Sequence, residues 1–123
     1  MQLADVVRIH VDQIERYGGP AGIRDLGLLQ SAIAMPQASF DGEWLHRDLF
    51  EMAAAYAFHV SRNHAFTDSN KRTGLACALV FLEINGISIQ DTEAQLYRTM
   101  VDVASGDLDK LRLAQVFRAL DGE

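Results

Sequence analysis

Two segments of this sequence, residues 52–60 and 75–84, are apolar on nearly every face of a helix. A helix with one apolar stripe can lie on a protein surface, but a helix that is apolar all round has to be enclosed by others. Two such helices in a chain of 123 residues predict a buried central pair with amphipathic helices packed around it.

The flanking segments fit that role. Val6, Val7, Ile9, His10, Ile14 and Tyr17 recur at helical spacing among charged residues, and Gly18-Gly19-Pro20 ends the pattern, which predicts a helix over about 3–17. A short helix over about 26–34 follows, with Asp25 as its cap and Pro36 preventing its continuation. A loop through Phe40, Gly42 and Trp44 comes next, and its two aromatic residues are candidates for a flap that holds a target segment. Asp48-Leu49-Phe50-Glu51 has the form of a capping box and opens the first central helix, which runs to about residue 64. The second central helix stops at Asn85-Gly86. Thr92-Glu93-Ala94-Gln95 is a second capping box, opening a helix to about residue 104 that Ser105-Gly106 breaks, and a last helix covers about 110–120. Only residues 87–90 have strand character. The expected fold is all-α, a compact bundle of about six helices forming one domain over residues 1–123.

Composition closes off several classes of function. The longest uninterrupted apolar stretch, 75–82, has eight residues, whereas a membrane span needs about 20. The opening Met1-Gln2-Leu3-Ala4-Asp5 has no basic region leading into an apolar core, so no secretory signal is expected. The single cysteine, Cys77, sits among Leu75, Ala76, Ala78 and Leu79 as an inert buried thiol, and a cytoplasmic location is the simplest expectation. A net charge of −6 argues against direct nucleic-acid binding, which draws its strength from many cationic contacts to phosphates. Against that acidic background Arg62, Lys71 and Arg72 fall within eleven residues, a local seat for an anion.

The cations belong to the polar run His64-Ala65-Phe66-Thr67-Asp68-Ser69-Asn70-Lys71-Arg72, which joins the two central helices. A loop entering a helix leaves unpaired amides that, together with the helix dipole, accept phosphate oxygens. Lys71 and Arg72 in a first turn oppose that dipole at about 0.3–1 kcal/mol each, a cost that a bound anion would remove. Asp68 can hold Mg2+, which takes one or two carboxylates together with phosphate oxygens and water. His64 can take a proton from a hydroxyl near neutral pH. Phe66 reads as the side chain that plugs the loop into the core. Elsewhere the plainer readings hold. His59 lies five residues before His64, which does not match paired zinc ligands on one helix face, and Gly18-Gly19-Pro20 is a helix stop and not a phosphate loop.

This run resembles the signature of the Fic superfamily, His-x-Phe-x-Asp-Gly-Asn-Gly-Arg followed by a second Arg three residues on. Tyr17-Gly18-Gly19, Gly22-Ile23-Arg24-Asp25, Leu28-Leu29-x-Ser31-Ala32 and Asn85-Gly86 resemble its death-on-curing, or Doc, branch. The resemblance implies His64 as base, Asp68 as metal ligand, and Ser69, Asn70, Lys71 and Arg72 as phosphate contacts, with Arg62 also facing the nucleotide. Three positions depart from the superfamily pattern: Ser69 and Lys71 stand where glycines are usual, and Leu75 where the second Arg is expected.

Most Fic proteins transfer AMP. Lys71 and Leu75 put that in doubt and are features of the Doc branch, which implies transfer of the γ-phosphate of ATP, with Mg2+, to a Ser or Thr hydroxyl. The implied target is elongation factor Tu, and the implied outcome is a block of translation. AMP transfer and a catalytically silent partner-binding module are the alternatives. Self-restraining Fic proteins resemble one another in a helix with Ser or Thr, three residues, Glu, then Gly or Asn. Here Ser39 and Glu43 are followed by Trp44, so restraint in trans by a small Phd-like or equivalent antitoxin is implied.

Overall fold

A computed structural model describes residues 1–40, 43–91 and 94–122, apart from the side chains of Ser39, Phe40 and Trp44. Six α-helices lie among the described residues: α1 (Leu3–Tyr17), α2 (Leu26–Ala34), α3 (Leu49–Asn63), α4 (Asn70–Ile84), α5 (Gln95–Ser105) and α6 (Lys110–Ala119). The fold is all-α, as the helical patterning predicts.

Local signals set most of the ends. Asp5 accepts from the Gln2 amide at the start of α1, and the helix stops at Gly18 with φ +83°. Asp25 accepts from the Leu28 amide at 3.0 Å to open α2, and Pro36 turns the chain out of it through a single 3-10 turn, Met35–Gln37. Asp48 opens α3 by accepting from the Glu51 amide at 2.8 Å. The other half of the expected box differs, because Glu51 reaches past Asp48 to the Arg47 amide at 3.3 Å. Asp48 pairs its second oxygen with Arg118 of α6 at 2.7 Å.

The expected Thr92–Glu93 box lies outside the described residues. The amides of Gln95 and Leu96 are taken by the Asp91 carboxylate at 2.8 and 3.2 Å, so a residue one position earlier caps α5. The segment expected to be a loop contains a two-residue antiparallel pair, β1 (Ser39–Phe40) with β2 (Glu43–Trp44). The tip of that hairpin and the side chains of the proposed aromatic flap lie outside the described residues. The strand character of 87–90 is realised as a bridge, Ile89 opposite Asp121, which ties the chain after α4 to the end of α6.

Helix α3 is the centre of the bundle and packs against α2, α4, α5 and α6. Its buried residues are mostly small: Ala53, Ala54, Ala55 and Ala57 alongside Tyr56 and Val60. Small side chains let neighbours approach from several sides, and α4 comes closest. A Cβ added at Gly74 would lie 2.8 Å from the Ala57 carbonyl oxygen and 3.2 Å from the Ser61 amide. The two backbones therefore touch where α4 leaves its first turn, which fixes the loop joining them. Cys77 is fully buried in the same layer, and burial pushes its thiol up to about 12, so it packs and does not react. No helix among the described residues is long and apolar enough to cross a membrane.

Candidate active site at the junction of the central helices

The junction begins where α3 ends. His64 is the cap residue, held in the left-handed region at φ +51°. The next two residues, Ala65 and Phe66, go inward, while Thr67 and Asp68 stay exposed.

A strap from the α1–α2 connection holds it. Gly22 accepts from the Thr67 amide at 3.0 Å, Ile23 bridges Phe66, and the Ala65 carbonyl takes the amides of Arg24 and Asp25 at 2.7 and 3.0 Å. The Arg24 side chain also donates to the His64 carbonyl, through Nε at 2.9 Å. Buried backbone polar groups need partners, and here one strand-like contact supplies them.

Underneath, Phe66 is 1% exposed and its ring stacks on His10 of α1, with centroids 3.9 Å apart. His10 in turn shares a hydrogen bond with Thr73 of α4, Nδ1 to Oγ1 at 3.0 Å. Burial foremost, and then the positive charge of Arg72, hold the His10 imidazole below its ordinary range, against an opposing pull from Asp68. It is a neutral ring that joins three elements beneath the loop.

Asn70 closes the loop on itself. Its carboxamide accepts from the Phe66 amide at 3.0 Å and donates to the Phe66 carbonyl at 3.1 Å. The carboxamide expected to contact phosphate thus also holds the loop's shape. Ser69 sits at φ +64°, which explains why this position suits glycine. Its hydroxyl accepts from Arg72 instead of capping α4. Ser69→Gly is expected to leave stability within about 0.5 kcal/mol, relaxed backbone offsetting the lost Arg72 contact, while Ser69→Val costs about 1–2 kcal/mol in urea unfolding because a β-branched residue resists this conformation. Equal midpoints for the two variants would contradict the left-handed assignment.

The first backbone bond of α4 runs from the Thr73 amide to Ser69 at 2.9 Å, so the amides of Asn70, Lys71 and Arg72 precede the helical ladder. Above them lies a cavity of about 390 Å³ lined by His64, Thr67, Asp68, Ser69, Asn70, Lys71 and Arg72, with Tyr97 and Ala104 contributed by α5. Arg72 also donates to the Gly18 carbonyl at 3.0 Å and lies over the Tyr17 ring. Lys71 stands exposed. Asp68 is the one carboxylate among the described residues of the lining, and its Oδ2 lies 2.7 Å from where a Cβ on Gly19 would be, so only glycine admits it there without a shift. Two cations, one carboxylate, one imidazole and three leading amides suit a phosphate chain carrying its own divalent metal. A single carboxylate matches Mg2+, which keeps most of its shell as water and phosphate oxygens.

Arg62 is the exception among the residues expected at the site. It does not line the cavity: its guanidinium donates to the Val103 carbonyl at 3.1 Å and lies over the Phe58 ring. The last turn of α5 carries carbonyls at the negative end of the helix dipole, and a cation emerging from the end of α3 is drawn to them. Sequence reasoning also missed Tyr97 and Ala104, which come from a distant helix, and His10, whose spacing is that of any amphipathic position.

Comparison with known proteins agrees with this geometry. The profile of the Fic/DOC family matches residues 1–82, which include the whole His64–Arg72 run. The chain is 36% identical over 118 residues to "Protein kinase doc" of Escherichia phage P1, covering 96% of this chain and 92% of that protein. It is 45% identical over 73 residues to "Toxin Doc" of Mycolicibacterium smegmatis, covering 59% of this chain and 56% of that one. With its helical bundle, its left-handed histidine at the junction and a profile match over two thirds of its length, this chain belongs to the Fic/DOC family.

Proposed function

We propose that this protein is a toxin that transfers the γ-phosphate of ATP to a Ser or Thr hydroxyl of another protein. The observation that carries the reading is the cavity at the head of α4, which collects His64, Asp68, Ser69, Asn70, Lys71 and Arg72 in one place. The name and extent of the kinase relative support it.

Phosphoryl transfer asks little covalent chemistry of a protein and depends on positioning and charge neutralisation. The leading amides of α4 and the side chains of Lys71 and Arg72 hold the phosphates. Asp68 would hold the Mg2+, which neutralises charge on the phosphate oxygens. His64, exposed at the cavity, takes the proton as the target hydroxyl oxygen bonds to phosphorus and the bond to the leaving ADP breaks. Asn70 contributes by keeping the Phe66 turn closed.

A threonine of elongation factor Tu is the proposed target, with arrest of translation in the cytoplasm as the result. A small antitoxin supplied in trans is the proposed restraint, a role the two Doc relatives support. The test is incubation of antitoxin-free protein with bacterial lysate and ATP labelled at either the α- or the γ-phosphate. Label arriving only from the γ-phosphate is expected. Label from the α-phosphate would replace this reading by AMP transfer, and no label from either would replace it by a silent binding module.

A further inference from the structure

Lys110 opens α6 and reaches across to α3. It is half-buried there, with its Nζ 3.1 Å from Nε2 of His59 and 5.9 Å from the centre of the Phe58 ring. Phosphate transfer makes no use of this amine, which is not among the residues lining the phosphate cavity. We propose that Lys110 is a site of acyl modification, its amine held by His59 for attack on a small acyl phosphate. The inference stands apart from the transferase reading and does not depend on it.

The pair is arranged for this chemistry. An ammonium has donors only, so Nε2 of His59 is the acceptor and its ring is neutral. Burial foremost, then the positive charges of Lys110 and His46, push the His59 imidazole down to about 4, which keeps that acceptor unprotonated at neutral pH. His46, 3% exposed, is likewise held below its ordinary range, by burial and then by Lys110, against a weaker pull from Glu51. Burial lowers the Lys110 ammonium too, with Glu51 opposing. Taking a lysine out of water raises the share of it present as free amine, the form that attacks carbonyl carbon.

The surroundings select the donor. A half-buried amine admits a small reagent more readily than a bulky carrier. Arg62 lies over the same Phe58 ring, 5.5 Å from its centre, so together with Lys110 it gives this part of α3 a positive face in a chain of net charge −6. Such a face concentrates an anionic reagent and steadies an anionic leaving group. Small acyl phosphates are compact, anionic and release phosphate.

In the step itself the Lys110 nitrogen bonds to the acyl carbon, the bond from that carbon to the phosphate oxygen breaks, and its electron pair leaves with phosphate. The extra proton on nitrogen passes to Nε2 of His59 and from there to water. Nothing is oxidised or reduced. The resulting amide is uncharged, so a cation disappears from the first turn of α6, where it opposes the helix dipole. The modified chain is therefore expected to stay folded.

The experiment is incubation of the full chain with acetyl phosphate at pH 7, with acetylation at each lysine followed by mass spectrometry. Lys71 and Lys110 are the two lysines of the chain, so Lys71 serves as the reference. Wild type, folded and unfolded in guanidinium chloride, is compared with His59→Asn, which cannot take the proton, after a melting control. Folding is expected to raise the Lys110 rate at least threefold, the reverse of the protection that partial burial alone would give. The folded chain's Lys110 rate should also level off at a lower pH than the unfolded chain's. His59→Asn should lower the folded rate at Lys110 at least threefold, with Lys71 changed less than twofold. A smaller rise or a fall on folding overturns the proposal, as does a pH profile that folding leaves unmoved. So does a smaller loss in His59→Asn, or an equal loss at both lysines. If His59→Asn does not fold, the comparison of folded with unfolded wild type decides alone.

Discussion

His64→Asn is expected to slow phosphate transfer by about 10²–10⁴-fold, the range contributed by a positioned proton acceptor, with almost no change in thermal stability. The side chain is exposed, so little packing is lost, and asparagine tolerates the left-handed conformation at φ +51° nearly as well as histidine. His64→Ala should lose the same rate but also about 1 kcal/mol of stability, since a residue with a plain Cβ resists this backbone region. The pair of variants separates proton transfer from backbone strain. Initial rates with γ-labelled ATP and melting curves are the measurements. Transfer by His64→Asn at the wild-type rate would remove His64 from the chemistry.

Phe66→Ala is expected to cost about 3–5 kcal/mol, the usual range for emptying a buried aromatic position, and to abolish transfer as well. The ring is 1% exposed and stacked on His10, so its removal leaves a cavity beneath the loop and takes the support from the His10–Thr73 contact. In a total stability of roughly 5–15 kcal/mol, such a loss should lower the melting temperature by roughly 10–25 °C. Phe66→Leu should recover much of the stability by refilling volume. A fall of less than about 3 °C for the alanine variant would show that the ring does not anchor the loop.

What could be read from the residues alone follows from how local each interaction is. The central pair α3 and α4 was legible because apolar residues on every face admit only burial. The caps Asp25 and Asp48 were legible because a cap bonds three residues ahead of itself. His64, Phe66, Asp68 and Arg72 fall within nine residues, so their convergence needed no long-range folding information.

The misses are long-range or too short to pattern. Two-residue strands leave no room for alternation, so the 39–44 hairpin could not be told from a loop. Arg62 was expected at the nucleotide on its nearness to His64 along the chain. Its direction depends on where the end of α5, some forty residues later, comes to rest. His10 looks like any polar residue on an amphipathic helix until the Phe66 ring is laid against it. Asn70 shows a subtler limit, since its residue type gives no sign that its carboxamide also bonds the peptide four residues before it.

Because His64 terminates the most enclosed helix of the bundle, and its own carbonyl and that of Ala65 are both held by the 22–25 strap, the imidazole is mounted on the part of the molecule that should open last. Regions open locally when they have few buried contacts, and this junction is anchored by the buried Ala65 and Phe66. Among the described residues the frame of the site is set by the fold itself, so its groups come together as the chain folds. On the proposed toxin reading, the timing of restraint would then rest on synthesis order and on a blocking molecule already in place.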